Sequence, residues 1–65
     1  MFIVKWSKYF VNGSLKGLWF DASLDFDSLD AATHYMAFLH GHVVIPVKAI
    51  GGTDYTCHMA TLVKV

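Results

Sequence analysis

The sequence predicts an α+β domain, ββαββ in chain order, with one helix packed on one face of a four-stranded antiparallel sheet. Three observations predict it. An alternating run of aromatic and β-branched residues, FIVKWSKYF, occupies positions 2–10. A segment of helical period sits in the middle of the chain. Two further apolar runs follow it, separated by Gly51-Gly52-Thr53-Asp54. Sixty-five residues hold one core at most, so 1–65 reads as a single domain.

In the first strand Phe2, Val4, Trp6 and Phe10 share the even side, with Lys8 among them. A second run, Leu15 to Leu24, places Leu18, Phe20, Ala22 and Leu24 on even positions. Asn12-Gly13 between the runs is a strong hairpin signal. A two-residue turn would pair even residues with odd ones and mix apolar and polar side chains on both faces. A three-residue loop, Val11–Gly13, keeps even with even, because a one-residue slip moves every side chain to the other face. That loop also puts Gly13 at the left-handed position. The three-residue loop is therefore the predicted connection.

The helix is predicted to start at an Asp27 cap, with Asp30 three residues on completing a short capping box. Leu29, Ala31, Ala32, Tyr35, Met36, Phe38 and Leu39 fill one half of its circumference. Gly41 is expected to end it in a left-handed conformation. Val43 to Ile50 reads as a third strand, held to an edge by Pro46. Tyr55 to Val65 reads as a fourth, with Tyr55, Cys57, Met59, Val63 and Val65 on one side.

Composition narrows the function classes. The chain is 55% hydrophobic with ten aromatic residues, and one this short buries only about 60% of its unfolded surface. Some apolar surface is therefore expected to meet another chain. Five lysines, scattered at 5, 8, 16, 48 and 64, balance five aspartates, and there is no arginine or glutamate. That pattern lacks the basic patch that neutralises phosphates and the residue that most often reads bases, so no direct nucleic-acid binding is expected. Cys57 is the sole cysteine, which excludes an internal disulfide and suits a reducing compartment. No leader-like segment and no apolar run of about 20 residues occurs. A cytoplasmic protein without membrane contact is expected.

HYMAFLHGH (34–42) gathers three of the four histidines. His34 and His40 are six apart and diverge around a helix, whereas two ligands on one face need a spacing of three or four. His40 in the last turn suits the negative end of the helix dipole. A small metal binder using His40, His42 and His58 is the alternative reading; no metal or cofactor is the expectation. Cys57 and His58 are adjacent in a strand and point to opposite faces, which rules out a dyad between them. Asp21, Asp25, Asp27 and Asp30 cluster at the strand–helix junction without a calcium-loop pattern; helix capping and a patch for a basic partner are their two readings. The odd face of the hairpin is more informative. It carries Ile3, Lys5, Ser7, Tyr9, Leu15, Trp19 and Asp21, and no element of the chain is left to cover it. Trp and Tyr dominate interface hot spots. Trp19 and Tyr9 are the predicted anchors of a partner-binding surface, with Lys5, Leu15, Asp21 and Asp25 around them.

A strand hairpin, a "DSLDAATHYMAF" helix opening straight after the second strand, and further strands resemble small bacteriophage-type accessory proteins. The resemblance covers element order over most of the chain. It implies a host-takeover inhibitor, such as the short inhibitors of bacterial RNA polymerase, or an anti-CRISPR or related anti-defence protein. The expected function is a non-enzymatic inhibitor or adaptor that occludes a larger host protein complex in the host cytoplasm, such as a defence nuclease complex or RNA polymerase. A self-associating homodimeric subunit is the alternative.

Overall fold

The alternating run at residues 2–10 forms one side of the expected hairpin and is also the central strand of the sheet, paired on both edges. The computed structural model describes residues 1–65. It contains β1 (Phe2–Phe10), β2 (Trp19–Phe26), α1 (Leu29–Gly41) and β3 (Tyr55–Lys64). The sheet is three-stranded and antiparallel, in the order β2-β1-β3. The α+β class stands, but the four-stranded ββαββ arrangement does not.

The missing strand is Val43–Ile50, of which only Val47 bridges, to Tyr55. Pro46 has no N–H to give a ladder at that point. The chain also leaves the helix directly onto the edge of β3, where the Cys57 N–H donates to the His42 carbonyl at 2.8 Å. The segment then crosses that edge in turns instead of running along it.

β1 and β2 pair Phe2 with Phe26, Val4 with Leu24 and Trp6 with Ala22. Even residues do face even residues, but four positions away from the predicted register. The connection spans residues 11–17, and β2 begins at Trp19 rather than Leu15. Gly13 is at φ 77° and Gly17 at φ 86°. Phe10 closes the loop, its N–H donating to the Leu18 carbonyl at 3.1 Å and its own carbonyl accepting from Gly17 at 2.8 Å. A seven-residue loop preserves the parity of a three-residue one, so burial could not distinguish them. Gly13 has a second reason to lack a side chain: a Cβ there would lie 2.8 Å from Thr53 Cγ2 and 2.9 Å from the Gly52 carbonyl.

That close approach belongs to a joint around Asp54. Its carboxylate accepts from the Asn12 amide (3.1 Å), the Ala49 N–H (3.0 Å) and the Lys48 ammonium (3.3 Å). Its N–H donates to Asn12 Oδ1 at 2.7 Å. The Asn12 hydrogen bond, then that of Ala49, holds the carboxyl below its ordinary value, with a smaller contribution from Lys48. One buried side chain thus ties the hairpin loop to the 42–54 segment.

The helix covers the even face, as its period requires. Val4, Trp6, Ala32, Leu39 and Cys57 form the core, with Tyr35 and Met36 packed against it. The buried seam is Ala32, Tyr35, Met36 and Leu39, narrower than the predicted half-circumference, because Leu29, Ala31 and Phe38 stay exposed. Lys8, the polar intruder on this face, lays its ammonium 4.8 Å from the centre of the Tyr55 ring. The helix cap is Ser28, whose hydroxyl accepts from the Ala31 N–H at 3.2 Å; neither Asp27 nor an Asp27–Asp30 box caps it. Gly41 is not left-handed. The helix ends at His42 (φ −113°), whose N–H turns back to the Leu39 carbonyl.

β3 carries a bulge. Tyr55 and Cys57 oppose Phe10 and Lys8, but beyond the bulge Leu62 opposes Val4. Met59 takes φ 55°, is 71% exposed, and absorbs the extra residue. The face of Tyr55 and Cys57 therefore continues through Ala60 and Leu62, while Val63 pairs with Ile3 on the opposite side. The predicted set of Tyr55, Cys57, Met59, Val63 and Val65 on one side is corrected by that single residue.

Candidate functional site

The second face of the sheet has no covering element. Tyr9 and Trp19 are directly opposed across β1 and β2, their rings 4.8 Å apart at 46°. The His58 ring, brought in by β3, lies 5.3 Å from Trp19. Thr56 supports the histidine from beneath: its Oγ1 donates to the Tyr9 carbonyl at 3.5 Å and shares a 2.6 Å hydrogen bond with His58 Nε2. An aromatic strip thus crosses all three strands near one end of the sheet. Trp19 is 54% exposed, so most of its apolar area is offered to whatever meets the face.

Next to this strip is an open depression of about 440 Å³ lined by Lys5, Ser7, Asp21, Ser23 and Met59 together with Trp6 and Ala22. Ser7 Oγ donates to Asp21 Oδ1 at 3.4 Å. Asp25 lies farther along, opposite Ile3. The arrangement is an aromatic strip beside a shallow, largely polar depression that holds a lysine and an aspartate, with Asp25 farther along, a combination that suits a protein surface more than an enclosed small-molecule pocket.

Five of the six predicted binding residues share this face: Tyr9, Trp19, Lys5, Asp21 and Asp25. Leu15 does not. It is half-buried in the 11–17 loop, because β2 starts four residues later than predicted. Ser7 lies on this face as strand alternation requires, whereas His58 and Met59 were missed. Their place depends on which strand flanks β1 and on the bulge, and no local pattern reveals either.

The other chemical candidates separate in space. Cys57 is 1% exposed in the core, and burial pushes its thiol up, with Lys8 acting more weakly the other way. His58 is on the opposite face of the same strand. His42 Nδ1 is bonded to the Ile45 carbonyl at 2.7 Å, and His40 is exposed at the end of the helix. No group of three or more His, Cys, Asp or Glu side chains converges to hold a metal ion, which separates His40, His42 and His58. Asp27 and Asp30 are exposed at the start of the helix, apart from the Asp21 depression. The indole N–H of Trp6 is buried without an acceptor. No helix is long and apolar enough to cross a membrane.

No protein-family model, curated protein or solved structure matches the chain.

Proposed function

We propose that this chain is a non-enzymatic binding protein, an inhibitor or adaptor that covers part of a larger protein with the uncovered face of its sheet. The observation that carries this reading is the Tyr9–Trp19–His58 strip, an aromatic set on the uncovered face, with Trp19 exposed and Tyr9 and His58 half-buried, held by cross-strand pairing rather than by a loop. Rigid aromatic anchors lose little side-chain freedom on binding, so their area converts efficiently into affinity. Lys5, Asp21 and Asp25 at the border supply charges that orient a partner. The small phage-type inhibitors that the sequence resembles make a bacterial protein complex the first target to seek.

The test is affinity capture of the tagged chain from a bacterial lysate, run beside the Trp19→Ala and Tyr9→Ala variants. A stoichiometric partner is expected, and each variant should weaken its binding by about 2 kcal/mol, roughly thirtyfold, as hot-spot residues do. Both variants should keep the wild-type circular dichroism spectrum. Unchanged partner binding in both variants would reject this face as the docking surface.

A further inference from the structure

The sheet has two outer edges, and β2 is open along its length. The Leu18 carbonyl accepts from Phe10 on the β1 side. Alternate residues of a strand turn their peptide groups to opposite sides. The N–H and C=O groups of Trp19, Asp21, Ser23 and Asp25 therefore point outward, with no strand beyond them. Natural edges are blunted with charged side chains, lysine above all, with proline or with bulges; WFDASLDF has no lysine, proline or bulge, and its only charges are Asp21 and Asp25 on the outer face. Its helix-side residues Phe20 and Leu24 are each 44% exposed, because the helix lies over β1 and β3. Beside them is an apolar groove of about 440 Å³ lined by Phe26, Ala31, His34, Tyr35 and Phe38.

We infer that β2 pairs with β2 of a second copy, antiparallel about a two-fold axis through Ala22, to form a continuous six-stranded sheet. The axis must stand normal to the sheet, which keeps both helices on one side and pairs even residues with even. Only two such registers overlap all but one residue of the eight-residue strand. Centred on Ser23, the pairing sets Asp21 against Asp25 of the other copy twice, a like-charge contact that destabilises a sheet. Centred on Ala22, it sets Asp21 against Ser23, and Asp25 against Trp19. On the helix side the same register matches Leu24 with Phe20 and Phe26 with Leu18. The second copy's Leu18 then fills the groove beside Phe26. The occupant is a second copy because this strand matches itself in apolar contact and in exposed hydrogen-bonding groups, in a register that keeps its aspartates out of direct opposition. The inference rests on the strand edge and does not require the proposed function; Trp19, Asp21 and Asp25 of the outer face enter it only as cross-strand neighbours.

The test is sedimentation equilibrium of the full chain from about 1 μM to about 1 mM. The mass is expected to rise from 7.3 kDa to twice that value. Ser23→Pro removes only an outward N–H and is tolerated at an edge. It should raise the dimer dissociation constant at least tenfold with an unchanged circular dichroism spectrum. Ala22→Cys provides a separate reading of the register. Across a non-hydrogen-bonded pair the Cβ atoms are about 4.5–5.5 Å apart, near the span of a disulfide. Mild oxidation should therefore give a covalent dimer for Ala22→Cys and much less for Ser23→Cys. A monomer at every concentration would overturn the inference, as would a dimer indifferent to Ser23→Pro, or cross-linking that favours Ser23→Cys. A monomer that takes up an extended peptide on β2 would assign the edge to another protein and overturn it equally.

Discussion

The two edges of this small sheet are treated in opposite ways. Along β3 the chain spends its protective features together. His42 and Val47 occupy the peptide groups of Tyr55 and Cys57, Met59 bulges, and Lys64 closes the strand. Along β2 it has only the charges of Asp21 and Asp25 on the outer face, with no bulge, proline or covering segment, and leaves Phe20 and Leu24 uncovered beside an apolar groove. A surface of 4313 Å² is close to the roughly 4,200 Å² expected for a chain of this mass. The exposed apolar area therefore reflects a thin core and not a loose structure. The contrast teaches that exposure at β2 is local and directional: the same chain knows how to close an edge.

The contrast can be broken most severely at the guarded side. Gly13→Ala forces a left-handed alanine and presses its Cβ onto the Gly52 carbonyl, which is backbone and cannot swing aside. Left-handed geometry alone costs about 1–2 kcal/mol. A total loss of about 2 kcal/mol or more is expected in urea unfolding. A loss below about 0.5 kcal/mol, within the range of an ordinary surface change, would mean that the hairpin loop and the 42–54 segment are not joined there.

Acid should loosen the same joint without a mutation. The Asp54 carboxyl is held low when folded, so its stabilising contribution is complete above the unfolded carboxyl value of about 3.9. It is lost as pH falls below that value and through the lower folded one. Amide exchange at Ala49 and Asp54 should accelerate in that window ahead of the β1 strand. Asp54→Asn should remove the pH dependence; an identical acid profile in that variant would assign the effect to another group.

The smallest expected change sharpens the comparison at the bulge. Met59 holds φ 55° at a cost of about 1–2 kcal/mol, and glycine relieves it while losing more freedom on folding. Met59→Gly should therefore stabilise by about 0.5–1 kcal/mol, or raise Tm by about 5 °C. Destabilisation would show that the methionine side chain, 71% exposed, contributes packing at this edge.

The outer face was legible early because strand alternation is local. Tyr9, Lys5 and Trp19 fall on one side of their strands whichever strands are neighbours. Asp21 and Asp25 followed from the same parity. Leu15 was lost with the loop length, since loops of three and seven residues bury the same side chains. Val43–Ile50 has the apolar content of a strand, and what it lacks is a place. The helix exit delivers it across β3, and Pro46 cannot donate to a ladder.

The sequence by itself determined the α+β class, the helix and its buried seam, the even apolar face of the hairpin and most of the residues on the uncovered side. Each of these depends on periodicity or on contacts within a few residues. Only the tertiary structure decided that β1 is central, that Asp54 locks two loops, and that Met59 shifts the faces of β3 so that His58 joins Trp19. Those features depend on pairing between distant segments. There the free energy lies in shared hydrogen bonds and packed surfaces that neither partner's local sequence specifies.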